Sequence, residues 1–337
     1  MCFRLLLFGF LILFGCSNEK QLLLLMEEGN AALTNEEYSI AVSKFSEAIE
    51  IHENYLSALN NRGIAYQKLG QFELANSDYS QAIMLDVDYF DAYFNRSLLA
   101  IDFHQYYMAQ DDLDYLATNY PDSSKVFFGI GLTQTYLRNY DDALSSFNVA
   151  IALDSLNVEL FVNRGTLYYY RKEYKLAKSD LEKSLELDKN SHEAFNTLSL
   201  CFADEGYYDR AKEYSNMAIE LQPENPYYIN NRGFVYLQID SLVKAETDIN
   251  RSLRIDNKNS WALRNKGILA LKSSNFESAK RLFIEAIKID DFTSDIYFYL
   301  GEAYRGLSND KKACEMYNKS IKLKESKGLN SFNEHCS

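Results

Sequence analysis

Small and apolar positions recur along the chain with a period of 34 residues, without insertion, from Leu22 to Lys327. A small residue stands at Gly29, Gly63, Ser97, Gly131, Gly165, Ser199, Gly233, Gly267 and Gly301. Twelve residues after each comes an alanine: Ala41, Ala75, Ala109, Ala143, Ala177, Ala211, Ala245, Ala279 and Ala313. Seven further on, a third position reads Ala48, Ala82, Leu116, Ala150, Ser184, Ala218, Ser252, Ala286 and Ser320. In the fifth copy, Phe161, Arg164, Gly165 and Tyr168 fall at i, i+3, i+4 and i+7, one face of a helix. Tyr174, Ala177, Lys178, Leu181, Ser184 and Leu185 mark the face of a second helix, and Lys172 and Glu173 join the two. The pattern therefore predicts nine helix–turn–helix units at 22–55, 56–89, 90–123, 124–157, 158–191, 192–225, 226–259, 260–293 and 294–327. The small residues are expected where the paired helices cross, because bulk there would force the backbones apart. Each pair is apolar on two sides and cannot bury itself alone, so the units must stack.

A 34-residue period with this spacing resembles the tetratricopeptide repeat family. The resemblance covers 22–327 and implies an all-α solenoid, a right-handed superhelix of nine repeats whose first helices line a concave groove. Proline closes the unit only at Pro121 and Pro223.

Ahead of the repeats, Arg4 precedes an apolar run from Leu5 to Gly15. That run is shorter than the roughly 20 residues a membrane-spanning helix needs, and it has the length of a signal-peptide core. It ends in Leu13-Phe14-Gly15-Cys16, which resembles a bacterial lipobox. The resemblance implies a lipoprotein signal peptide at 1–15, removed on export, and a diacylglycerol on Cys16. Residues 16–21 would form the lipidated N-terminus and a short tether, and the non-acidic Ser17 suggests an outer membrane. A tail is expected at 328–337.

Cysteine usage then leaves Cys201, Cys314 and Cys336, without metal-ligand spacing. A Cys314–Cys336 bridge is open in an oxidising compartment, as is a plain apolar role for cysteines within helices. The net charge of −13 repels phosphate backbones and argues against a nucleic-acid partner. It is unevenly spread. From Leu22 to Asn257 there are 19 Lys and Arg against 37 Asp and Glu; from Lys258 to Lys327 there are 14 against 9. The acidic stretch would select a basic partner and the last two repeats an acidic one, unless solvated helix faces simply drift in charge.

Enzyme signatures are missing. His52, His104, His192 and His335 are scattered, and neither a phosphate loop nor a nucleophile elbow appears. Asp111-Asp112 and Asp141-Asp142 fall near the starts of second helices, where carboxylates suit the helix dipole. No cofactor or metal is expected.

The candidate site is the groove. Two positions before each small residue stand Glu27, Asn61, Asn95, Gly129, Asn163, Thr197, Asn231, Asn265 and Tyr299. The five asparagines could pair both groups of an extended peptide backbone, or satisfy neighbouring groups of the fold itself. Beside them Phe94, Phe128, Tyr136, Tyr169 and Tyr170 offer a partner aromatic contact area, or pack between helices. The carboxylate clamp of chaperone-binding relatives is not expected. Asn30 and Asn61 fit it, but Met26, Asp91 and Asn95 occupy other places in the pattern and supply no cation.

The expected function is that of a non-enzymatic scaffold or adaptor in the bacterial envelope, binding protein or peptide partners in the groove and held to the membrane by its lipid. A subunit of an envelope assembly or secretion machine is one alternative. A carrier of peptidoglycan fragments or other small ligands is another.

Overall fold

The computed structural model describes residues 3–291, 293–323 and 326–336, with side chains from residue 18 onward, 326 excepted. The expected leader at 1–15 and the Cys16 thiol lie outside the described side chains. Every described element is an α-helix. The chain divides into two compact units, Met1–Leu156 and Asn157–Ser337.

The N-terminal unit stacks α1 (Phe3–Thr34), α2 (Tyr38–Ile51), α3 (Leu56–Lys68), α4 (Phe72–Leu85), α5 (Phe90–Asp102), α6 (Tyr106–Asn119), α7 (Ser124–Tyr136) and α8 (Tyr140–Leu153). The C-terminal unit stacks α9 (Val158–Tyr170), α10 (Tyr174–Leu187), α11 (His192–Asp204), α12 (Tyr208–Leu221), α13 (Pro226–Gln238), α14 (Leu242–Ile255), α15 (Ser260–Lys272), α16 (Phe276–Ile289), α17 (Ile296–Gly306), α18 (Asp310–Lys322) and α19 (Ser326–His335). Each unit is a solenoid of helix pairs. From α3 to α15, each odd-numbered helix begins at the first residue of a predicted repeat. Residues 328–337, expected as a tail, instead belong largely to helix α19.

Size complementarity holds each pair together. A methyl group on Gly63 would stand 2.6 Å from the ring of Tyr79, and one on Gly131 2.6 Å from the ring of Phe147. Both rings are fully buried. The missing side chain on the first helix is the space that the aromatic residue of the second fills. An aliphatic residue takes the place of the ring at Gly165 and Gly233, where a methyl group would stand 3.0 Å from Leu181 and from Ile249. The periodic alanines from Ala41 to Ala279 are all fully buried, and Ala313 nearly so.

The turn within each pair is the same nine times. The residue fifteenth in each repeat takes a left-handed conformation, with φ between 52° and 82°. The next N–H returns to a carbonyl five residues back, as from Gln71 to Tyr66 at 2.9 Å and from Asn275 to Ala270 at 2.8 Å. This closes the helix end and satisfies its last carbonyls. Only Gly70 and Gly206 are glycine at this position; Glu36, His104, Arg138, Lys172, Asp240, Ser274 and Ser308 adopt it with a side chain.

Ion pairs lock four repeats. Arg62, Arg96, Arg164 and Arg232 each pair with the aspartate sixteen residues on: Asp78, Asp112, Asp180 and Asp248. Asp112 therefore serves as a buried counter-ion to Arg96 rather than as a partner of the helix dipole, whereas Asp141 and Asp142 do stand in the first turn of α8. Cys314 and Cys336 are joined as a disulfide with Cα atoms 5.7 Å apart, which ties α19 to α18. Cys201 is a free buried thiol, pushed up to about 12 by desolvation and by the charges of Asp204 and Glu205. Such a thiol is inert.

Candidate ligand groove

The exposed stripe of the odd-numbered helices in the C-terminal unit lines a cavity of about 390 Å³, within the size range of ligand sites. Tyr169 and Tyr170 reach it from α9 and Tyr174 from α10; α11 adds Asn196, Leu200 and Asp204. Helix α13 adds Tyr227, Asn231 and Phe234, α15 adds Trp261 and Arg264, and Ser294, Asp295 and Lys327 complete the wall. Lining residues recur at spacings of three, four and seven along these helices, because one face packs inward and the adjacent stripe is left for the groove.

Charge in the groove is arranged in three places. Lys327 Nζ donates to Asp295 Oδ2 at 2.6 Å and to Tyr299 Oη at 3.2 Å. Desolvation, which would lower the Lys327 pKa, is outweighed by Tyr299 and Asp295, so the net shift is upward. Tyr174 Oη donates to Asp204 Oδ2 at 3.1 Å. The Asp204 carboxyl is held above its ordinary value, chiefly by desolvation, against the hydroxyls of Tyr174 and Tyr169 and the charges of Lys327 and Lys172. Arg264 stacks its guanidinium 4.8 Å from the Trp261 ring centroid and 5.3 Å from that of Phe234.

The candidate asparagines hold a second pattern, directed largely toward asparagines at other positions of the repeat. In the N-terminal unit, Asn95 Nδ2 donates to Asn60 Oδ1 at 2.9 Å, Asn60 Nδ2 to Asn61 Oδ1 at 3.2 Å, and Asn61 Nδ2 to Asn30 Oδ1 at 2.8 Å. In the C-terminal unit, Asn265 donates to Asn230 at 2.9 Å, Asn230 to Asn231 at 3.5 Å, and Asn231 to Asn196 at 2.9 Å. Each relay connects the first helices of three successive repeats. Asn163 belongs to neither; its amide donates to the Glu159 carbonyl of its own helix at 2.8 Å. Asn231 lines the cavity, whereas Asn265 is fully buried.

Among the candidate aromatics, Tyr169 and Tyr170 line the cavity. The other three lie in the N-terminal unit. Phe94 packs on Phe90, Phe128 on Phe147, and Tyr136 stacks face to face on Tyr106 with centroids 5.2 Å apart. Position six of the repeat points to Asn231 but not to Trp261 and Tyr227 at position two, nor to Arg264 at position five. The chain's only tryptophan and an arginine where other repeats carry Asn, Phe, Val or Met were the available signals.

A second cavity of about 520 Å³ lies between α15, α16 and α17. Its arginine, Arg305, is already paired with Glu302 at 2.7 Å. Among the described residues no group of His, Cys, Asp and Glu is placed to hold a metal ion, and no helix is long and apolar enough to cross a membrane.

Tetratricopeptide repeat models match residues 56–88, 158–191, 192–225 and 264–326. No curated protein matches the chain. Among solved structures, a tetratricopeptide repeat protein from Parabacteroides merdae is 18% identical, over 84% of this chain and 99% of that one, with a TM-score of 0.47. Yeast Tom70 is 14% identical, over 94% of this chain and 96% of that one, with a TM-score of 0.46. The matches at 56–88, 158–191 and 192–225 each begin with the first residue of a helix pair that recurs every 34 residues, and the chain belongs to the tetratricopeptide repeat family.

Proposed function

We propose that this protein is a non-enzymatic scaffold that holds partner polypeptides along the groove of its C-terminal unit, anchored in the bacterial envelope, at the outer membrane, by acylated Cys16. The observation that carries the reading is the wall of the groove. Four successive first helices, α9, α11, α13 and α15, each contribute aromatic or amide side chains to one continuous cavity. Aromatic side chains give large contact area at low entropy cost, and amides can pair with a backbone. A polypeptide laid across the helices meets both in turn.

A photo-crosslinking amino acid in place of Tyr227, which is half exposed at the groove, tests the reading in native membranes. Polypeptide adducts that vanish when the probe is moved to exposed Val243 are the expected result. A protein that yields no polypeptide adduct and co-purifies with a small molecule would instead be a carrier. The anchor is tested separately: Cys16→Ser should lose its label under metabolic acyl labelling, and retention of the label would remove the anchor from this reading.

A further inference from the structure

Arg264 differs from the four arginines that hold the repeats together. Those are each paired with an aspartate; Arg264 is buried, 6% exposed, and no carboxylate pairs with it among the described residues. Its Nε and Nη2 donate to Asn265 Oδ1 at 3.1 and 2.9 Å, and Nη1 donates to the Ser294 carbonyl at 2.9 Å. All of these acceptors are neutral. A guanidinium has five N–H donors, so two are left over at a position that lines the cavity. A buried cation without a counter-ion is costly, and the faces of Trp261 and Phe234 offset only part of that cost. An anionic ligand would supply what the fold withholds.

The remaining charges narrow the choice. Lys327 is already matched by Asp295, while Lys172 and Asp204 line the same wall with opposite sign. One positive charge is left, and the stretch from Lys258 to Lys327 is the basic part of an otherwise acidic chain. A monoanion balances the site, and Asp204 disfavours a second acidic group beside it. Building on the polypeptide-binding reading above, we propose that Arg264, held between Trp261 and Phe234, receives a single Asp or Glu side chain of the partner, flanked by apolar residues.

The test uses the purified full chain and four fluorescent, N-terminally blocked peptides. Three share an apolar sequence with an amidated C-terminus and carry Glu, Gln or phosphoserine at the centre. The fourth has the Gln sequence with a free C-terminal carboxylate. Binding is read by anisotropy, and on unlabelled peptides by the emission of Trp261, the only tryptophan. The Glu peptide should bind at least tenfold more tightly than the Gln peptide. That preference should fall to within about twofold in Arg264→Gln, with binding of the Gln peptide little changed. Because Arg264→Gln alters a buried site, the Glu-to-Gln comparison on the unaltered protein decides the matter even if the variant does not fold. Equal affinity for the Glu and Gln peptides overturns the proposal while leaving the polypeptide-binding reading intact. Tighter binding of the phosphoserine or free-ended peptide overturns the choice of an acidic side chain. Failure of all four, together with failure of a random peptide array, overturns both readings.

Discussion

Arg232 and Asp248 meet through two parallel hydrogen bonds, Nε to Oδ2 at 2.7 Å and Nη2 to Oδ1 at 2.9 Å. The third nitrogen, Nη1, reaches Asn216 at 2.9 Å in the preceding repeat. The planar fork thus pairs α13 with α14 and also holds α12, which a lysine could not do with the same geometry. Asp248→Ala would leave the guanidinium mostly buried without its counter-ion. A loss of about 2–3 kcal/mol is expected, below the roughly 3–5 kcal/mol of a fully enclosed pair because Arg232 keeps some solvent contact. Urea unfolding measures it, and Arg232→Lys alone, which keeps the charge but not the fork, should show a smaller loss.

The close approach of Gly131 to Phe147 makes Gly131→Ala destabilising by about 1–3 kcal/mol through overpacking. Gly165→Ala should cost less, since the nearest atom is 3.0 Å away and is Cγ of Leu181. Thermal melts of the two variants rank them; equal losses would mean that the ring at Phe147 moves aside freely.

Ser274 is exposed and holds φ at 57°. Left-handed backbone costs a side-chain-bearing residue about 1 kcal/mol relative to glycine, and glycine gives part of that back as unfolded-state entropy. Ser274→Gly is therefore expected to stabilise the protein by a few tenths of a kcal/mol, roughly 0.3–0.8, in denaturant titration. A destabilised variant would show that the entropy of the unfolded chain outweighs the strain.

Asp204 sets a pH dependence. Its folded pKa lies above the ordinary value of 3.8, with desolvation the leading cause. The folded state therefore takes up the proton first as pH falls, and the strain of the buried charge is present at neutral pH. It is relieved between the raised value and 3.8. Asp204→Asn should melt higher than the parent at pH 7, with the gap closing through that window. A gap that widens on acidification would reverse the sign assigned here.

Breaking Cys314–Cys336 by Cys336→Ser opens a loop of sequence separation 22, worth about 3 kcal/mol to the segment it closes. In a stack whose repeats contact only their neighbours, the loss of hydrogen-exchange protection should centre on α18 and α19. Uniform loss across the C-terminal unit would indicate one cooperative block instead.

The repeat register was legible because it is carried by what each side chain must not exceed: Gly131 and Ala143 can only be small. The left-handed turns were not, since His104 or Lys172 give no sign of positive φ when glycine stands at the same place only in Gly70 and Gly206. The groove was half legible. Counting back from the small residue finds Asn231, but hydrogen bonds between asparagines are set by the distance between helices, which periodicity does not report. Lys327 could not have been placed at all. It reaches the groove because α19 folds back and is pinned by a disulfide whose partners lie 22 residues apart. The asparagines also separate in kind: Asn265→Ala should cost about 1–3 kcal/mol by stranding Arg264 and Asn230, whereas Asn163→Ala should leave the melting temperature nearly unchanged.

The two asparagine relays have a consequence for how such a chain can be lengthened or shortened. The bidentate Arg–Asp contacts lie within one repeat and travel with it whenever a 34-residue block of coding sequence is copied or lost. A relay does not, because its three bonds cross two joints. Removing the repeat at 56–89 alone would break the line from Asn95 to Asn30 at both ends, and removing 226–259 would do the same to the line from Asn265 to Asn196. Within each relay the indivisible block, measured in hydrogen bonds, is three repeats. Recombination that shuffles a single repeat within a relay must begin by rewriting the asparagines at positions five and six, and at position nine where the line ends on Asn30.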